Sequence, residues 1–273
     1  MVQPHITLDI VYHIMELLRD DPRTLKECCL VSKSWTHSCQ IHLFYDVAIK
    51  IDSPQLLKKW GKTVRILDSG TSPACYVRSL KVDPTYLVTA EDGKVGGWIQ
   101  PFANVVHLEL PVVPIDEMWF KLPASNVSFT HFHTLSSVES LNLIFKTVSP
   151  SEQVLNLICS LPRLKDLVLI AQGSVIGGIE KVTSQPSPPP PLTGTLTLGE
   201  GVETVANILK YVPRGLHFRR IAFNASCGQN LACVTDLVEM CSNTLQYVEC
   251  VHPKQSESCP DGGSIFGVNL CPL

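Results

Sequence analysis

The sequence predicts an α region followed by an α/β region: three short N-terminal helices, then an irregular α/β solenoid of stacked strand and helix units. Three observations carry that expectation. The first forty-five residues hold apolar residues at helical spacing and almost nothing else that organises them. Behind them, seven segments repeat the pattern apolar-x-x-apolar-x-apolar, centred on Leu80, Leu108, Leu141, Leu167, Leu196, Ile221 and Val248. Between several of these segments the spacing changes from two to helical.

Thr7 is placed to cap the first helix, and Asp9 puts a negative charge in its first turn, where the backbone dipole favours it. Ile10, Ile14, Leu17 and Leu18 fall on one face of this helix; Leu8, Val11 and Met15 are apolar and fall off it. Asp21 and Pro22 read as a cap followed by proline at the first helical position of a second helix, which carries Leu25, Cys28 and Cys29. A third begins at Ser32 or Lys33, with Trp35, Cys39 and His42 on one side. Phe44 to Ile49 is extended and ends the helical unit. A unit this small has more apolar surface than it can bury alone, because domains below ~40 residues rarely fold without staples or partners.

The seven later segments are short strands with one buried face. Their centres are separated by 28, 33, 26, 29, 25 and 27 residues. Five of these six steps fall within the roughly 20–29 residue period of one class of stacked repeat. Helical spacing follows at Val154, Leu157, Ile158 and Leu161 behind Ser151, at Val202, Val205, Ala206 and Leu209, and less fully at Leu231, Val234 and Val238. Leu56, Leu57, Trp60 and Val64 form an earlier helical pattern. The same features fit an ordinary α/β domain with several parallel strands; the even spacing favours the solenoid.

Composition removes several classes of function. Net charge is −3 over 273 residues, without the basic excess that a nucleic-acid surface needs. The run from Leu167 to Ile179 is too short to span a bilayer, which takes ~18 or more apolar residues. His5, Asp9, His13 and Glu16 interrupt any secretory leader, so the 11 cysteines read as reduced thiols of a soluble intracellular chain, cytoplasmic or nuclear. Cys227, Cys233, Cys241, Cys250, Cys259 and Cys271 crowd the last third but lack the tight spacing of a structural zinc site. His131 and His133 have no nucleophile paired with them in sequence, and Gly93, Gly96 and Gly97 do not space a phosphate loop. No metal, no cofactor and no catalytic residue is expected. Pro186 to Pro191 reads as an extended loop inside a repeat, within an insertion spanning 183–192.

The stretch from Ile6 to Tyr45 resembles an F-box, the motif that docks substrate receptors onto the Skp-type linker of cullin–RING ubiquitin ligases. Ile6-Thr7-Leu8-Asp9-Ile10 stands where the family pattern opens Leu-Pro-x-Glu-Ile, and Val31-Ser32-Lys33-Ser34-Trp35 stands where it has Val-Cys-Lys/Arg-x-Trp. Thr7 replaces the proline and Ser32 the cysteine. With the segments around Arg78-Ser79-Leu80, Leu161-Pro162-Arg163-Leu164 and Leu192 to Leu196, the chain is similar to fungal F-box proteins with degenerate leucine-rich repeats. The asparagine that such repeats place after the strand is absent; Thr85, Val113, Lys146, Gln172, Gly201, Ser226 and Pro253 stand there.

The resemblance implies an F-box over 1–45, degenerate leucine-rich repeats over 46–252 and an irregular tail over 253–273. It implies linker contacts from Ile6, Thr7, Leu8, Ile10, Ile14, Leu30, Val31, Lys33 and Trp35. It implies target contacts from strand residues that flank the buried ones: Lys81, Asp83, Glu109, Asn142, Thr197, Asn224 and Glu249. The implied activity is that of a non-catalytic adaptor, joined through the linker to a cullin scaffold, with an unidentified target protein and neither nucleic acid nor membrane as partner. The alternative is a binding scaffold of the same build that works outside any ligase.

Overall fold

Strands with apolar residues two apart lie side by side in one sheet. A computed structural model of the chain describes residues 7–50, 73–83, 99–112, 129–145, 151–171, 191–199, 201–212, 215–224, 232–251 and 266–269. The strands are β1 (Asp46–Lys50), β2 (Ser79–Asp83), β3 (His107–Val112), β4 (Ser140–Phe145), β5 (Asp166–Ala171), β6 (Leu192–Leu198), β7 (Leu216–Asn224), β8 (Tyr247–Val251) and β9 (Phe266–Asn269). They pair in sequence order; β1 to β8 are all parallel, and β9 runs antiparallel to β8.

The register sets the core. Val47, Leu80, Leu108, Leu141, Leu167, Leu196, Ile221 and Val248 form one lateral row. Two residues further along, Ile49, Val82, Leu110, Leu143, Leu169 and Leu198 continue the same face, and all six are buried. Onto this face pack α4 (Ser151–Ser160), α5 (Val202–Leu209) and α6 (Ala232–Met240), with the 3₁₀ turns Pro73–Tyr76, Gln100–Phe102 and Phe129–Thr134. Phe102 and Phe132, each in one of these turns, are enclosed in the same core.

This arrangement corrects the expected architecture of three F-box helices followed by a leucine-rich-repeat-like solenoid. The chain is an α/β fold on eight parallel strands, with six α-helices among the described residues. The solenoid reading required strand, turn and helix in every period. Only the crossovers β4–β5, β6–β7 and β7–β8 hold an α-helix among the described residues; three others hold 3₁₀ turns. Strand lengths differ as well, from five residues in β2 to nine in β7, and β6 and β7 slip register at Gly194 and Thr195. The apolar alternation was a sound strand signal, but any parallel strand buried on one face produces it. Within the segment expected to be an irregular tail, β9 adds a strand. The helical pattern at Leu56 to Val64 and residues 183–190 of the proline-rich insertion lie outside the described residues.

The N-terminal helices α1 (Leu8–Leu17), α2 (Pro22–Val31) and α3 (Lys33–Leu43) start where their caps stand. The Asp21 carboxylate accepts hydrogen bonds from the Arg23 and Thr24 backbone N–H groups at 3.2 and 3.1 Å and from the Thr24 hydroxyl at 2.6 Å. Those three bonds, the Thr24 hydroxyl first, hold the Asp21 carboxyl below its ordinary range. Ser32 caps α3 by accepting from the Ser34 N–H. The helices enclose a small core of their own, Val11, Met15, Leu25 and Cys39, separate from the core under the sheet. They are tied to the sheet at two places. The Tyr45 carbonyl accepts from both Arg78 and Ser79 N–H at 3.0 Å, and His37 Nδ1 shares a 2.7 Å hydrogen bond with the Tyr76 hydroxyl.

Gly194 has a backbone requirement at the register slip. Its φ is +95°, and a Cβ there would lie 2.5 Å from the Lys165 carbonyl oxygen. Gly194→Ala is expected to destabilise the chain by about 1–3 kcal/mol. A denaturant titration read by circular dichroism tests this, and an unchanged midpoint refutes it.

Candidate protein-interaction surfaces

Two surfaces carry the residues that the sequence nominated. The first is the outer side of the helical unit. Helix α1 is amphipathic: Asp9, His13 and Glu16, at i, i+4 and i+7, form an exposed polar stripe, and the buried face lies opposite it. Packing chooses Val11 and Met15, which are fully enclosed, with Ile14 and Leu18 half-buried beside them. Ile10 and Leu17, grouped with Ile14 and Leu18 on one face from the sequence, turn outward instead.

Of the residues nominated for linker contact, Leu8 is 65 %, Ile10 53 %, Leu30 87 % and Val31 66 % exposed. Thr7 and Lys33 are also exposed, and the Thr7 side chain makes no capping hydrogen bond. Trp35 differs: it is half-buried against Val11, Met15, Leu25 and Cys39, so it belongs to the unit's own core. Ile14 does the same. Ile6 lies outside the described residues. Tyr12 and Leu17 are large, exposed and were not nominated. Leu17 was expected on the same face as Ile10, Ile14 and Leu18, and Tyr12 flanks the polar stripe of Asp9, His13 and Glu16.

His42 lies between α1 and α3. Its Nε2 has no hydrogen-bond partner, stands 3.7 Å from the Glu16 carboxylate and is almost enclosed; its ring lies 5.9 Å from that of Tyr12. Glu16 is also 3.3 Å from Arg19.

The second surface is the sheet face opposite the core, on which no helix packs among the described residues. Register places Lys81, Glu109, Asn142, Val168, Thr197, Ala222 and Glu249 in one row across β2 to β8. Five of the seven nominated target-contact residues stand in it. Asp83 and Asn224 are two residues further along β2 and β7, hence on the same face. A neighbouring row holds Asp46, Ser79, His107, Ser140 and Asp166, then Arg220 and Tyr247 after the register slip. Counting by two along each strand from Lys81, Glu109 and Asn142 reaches this row from the sequence.

Charges on this face pair across strands. The Lys81 ammonium bonds the Glu109 carboxylate, and the Arg220 guanidinium bonds the Glu249 carboxylate while lying 5.2 Å from the Tyr247 ring centre. The hydrogen bond to Glu249 raises the already high Arg220 pKa further. At the rim, Lys165 bonds Glu139 at 2.8 Å and holds that carboxyl below its usual range. Asn142 Oδ1 and Asn224 Oδ1 are covered from solvent and have no hydrogen-bond partner.

Among the described residues no three His, Cys, Asp or Glu side chains converge as a metal-binding group. No helix among them is long and apolar enough to cross a membrane. The chain matches no protein-family model and no curated protein.

Burial pushes the Cys39 thiol up to about 12 and the Cys159 thiol up to about 11, and raises Cys241 as well. A thiol reacts as its thiolate, so these three are shielded twice, by burial and by proton affinity. Cys75 is exposed. Iodoacetamide applied to the native chain at mildly alkaline pH is expected to modify Cys75 before Cys39, Cys159 or Cys241. Peptide mapping by mass spectrometry reads the order, and equal modification of all four overturns this account of their environments.

Proposed function

We propose that the chain is a non-catalytic substrate adaptor of a cullin–RING ubiquitin ligase. On this reading α1 and α2 dock on the Skp-type linker, and through it a cullin scaffold, while the open face of the sheet recruits a target protein. The observation that carries the reading is the exposure of Leu8, Ile10, Leu30 and Val31 on a helical unit that has its own closed core. The unit satisfies its inner face with Val11, Met15, Leu25 and Cys39, and still leaves large apolar side chains in water. Burying each against a partner contributes roughly 1.5–3 kcal/mol. The chain's own contribution is proximity, since tethering raises the local concentration of a target to about millimolar. Such an adaptor works in the cytoplasm, the nucleus or both.

A second reading, a binding scaffold outside any ligase, is favoured by one feature. Ser32 stands where the F-box pattern has cysteine, and its hydroxyl is engaged by the Ser34 N–H and the Ser34 hydroxyl, at 3.3 and 2.8 Å. Capture of the Skp-type linker by the full chain separates the two readings: a soluble, folded chain that does not capture it supports the scaffold.

Substitution must avoid the small core. Trp35→Ala would remove packing as well as any contact. Leu30→Asp with Val31→Asp changes only exposed positions, which alter stability by about 0.5 kcal/mol or less. The double variant is expected to lose linker capture while its thermal melt stays in place. Leu25→Ala, by contrast, is expected to cost about 2–5 kcal/mol and to speed amide exchange throughout α1 to α3. Unimpaired capture by the double variant would remove the apolar helical face from the proposal.

A further inference from the structure

We propose that the open face of the sheet recognises an extended protein segment bearing lysine or arginine. The inference rests on the reading of that face as target-binding, and names what the target presents.

The face carries more acceptors than donors, and the surplus is local. Two of its exposed cations are engaged, since Lys81 bonds Glu109 and Arg220 bonds Glu249; Lys50 stands on β1, four strands from Asp166 on β5. Asp46 and Asp166 have no cation partner among the described residues. Asp166 is exposed in β5; one carboxylate oxygen accepts from the Thr195 N–H at 3.1 Å. On the neighbouring strand, Ser140 is its register partner and Asn142 stands two residues on, diagonally across from Asp166 on the same face. Diagonal neighbours of this kind lie roughly 7–8 Å apart.

The unsatisfied acceptor therefore lies beside the unneutralised carboxylate, near the middle of the sheet. Val168, directly opposite Asn142, and the half-buried Ile144 and Ile170 supply an apolar floor beside them. Asn224 Oδ1, on β7, is a second acceptor without a donor. An exposed carboxylate beside a short apolar strip fits an aliphatic stem that ends in an N–H cation. Lysine and arginine have that build. A polyanion such as a nucleic acid would meet uncompensated carboxylates instead.

Fluorescence anisotropy of the full chain tests this with two labelled probes, an alternating glycine–lysine peptide and its glycine–glutamate counterpart. The lysine peptide is expected to bind saturably at low salt, the glutamate peptide not at all, and added salt to weaken the binding. Asp166→Asn keeps the acceptor for Thr195 but removes the charge, and is expected to weaken binding about three- to tenfold. Asn142→Asp adds a carboxylate in the same shape and is expected to tighten it about threefold or more. Asp236→Asn in α6, on the other side of the sheet, is expected to change nothing. Absent or equal binding of the two peptides, or affinity unmoved by both face variants, overturns the proposal. Linker capture reads α1 and α2 instead, so its failure and the failure of peptide binding are separate results.

Discussion

Side-by-side burial of one leucine row is the interaction on which the rest depends. Leu80, Leu108, Leu141, Leu167 and Leu196 are enclosed because each has a neighbour from the next strand and a turn or helix beneath it. Parallel pairing makes that condition demanding. Each strand must be followed by a crossover that returns the chain to the same end, and that crossover must cover the row it has just left. Where the segment spells a helix, as at Val154 to Ile158, the helix covers it. In the crossovers before β3 and β4, the described residues include a 3₁₀ turn that brings a phenylalanine, Phe102 or Phe132, into the core. The same pairing sends every alternate residue to the opposite face, which is how positions far apart in sequence become a surface.

The helical unit obeys a different economy. Its core has four fully enclosed side chains, too few to hold three helices by burial alone. Local chemistry supplies part of the deficit: the Asp21 cap with its three hydrogen bonds, proline at the first position of α2, and Ser32 joining the end of α2 to the start of α3. The sheet supplies more, through the Tyr45 carbonyl and the His37–Tyr76 hydrogen bond. The unit is thus anchored along α3 and its exit. Exposed apolar residues of α1 and of the last turn of α2 remain in water.

Strands were legible in the sequence because apolar residues recurred at every second position over short segments. Caps were legible for the same reason, since Asp21-Pro22 and Ser32 have few other uses. Architecture was not. Regular spacing between Leu80 and Val248 reports crossovers of similar length, and both a solenoid and a parallel α/β sheet meet that condition. The inward face of α1 was marked in the sequence, since Asp9, His13 and Glu16 form one polar stripe and Val11, Met15 and Leu18 lie opposite it; grouping Ile10 and Leu17 with Ile14 turned the expected face away from that position. Much of the open face could be read, since Lys81, Glu109 and Glu249 fall at alternate positions. Its pairing could not, because which carboxylate meets which cation depends on register between strands more than 25 residues apart, as with Lys81 and Glu109 at a separation of 28.

The two surfaces differ in the physics they offer. On the proposed reading, Leu8, Ile10, Leu30 and Val31 bind through desolvation, which is insensitive to salt and suits a lasting contact. On the same reading, Asp166 and the charged face around it bind through fields and hydrogen bonds, which steer encounter and fall with ionic strength. On the proposed reading that division is what an adaptor needs. Its attachment to the ligase must outlast many targets, and each target must leave once modified. A single apolar surface serving both ends would hold both equally long. Placing the greasy contact on a small helical unit, and the polar one on the uncovered side of a rigid sheet, lets residence time be set separately at each end of one chain.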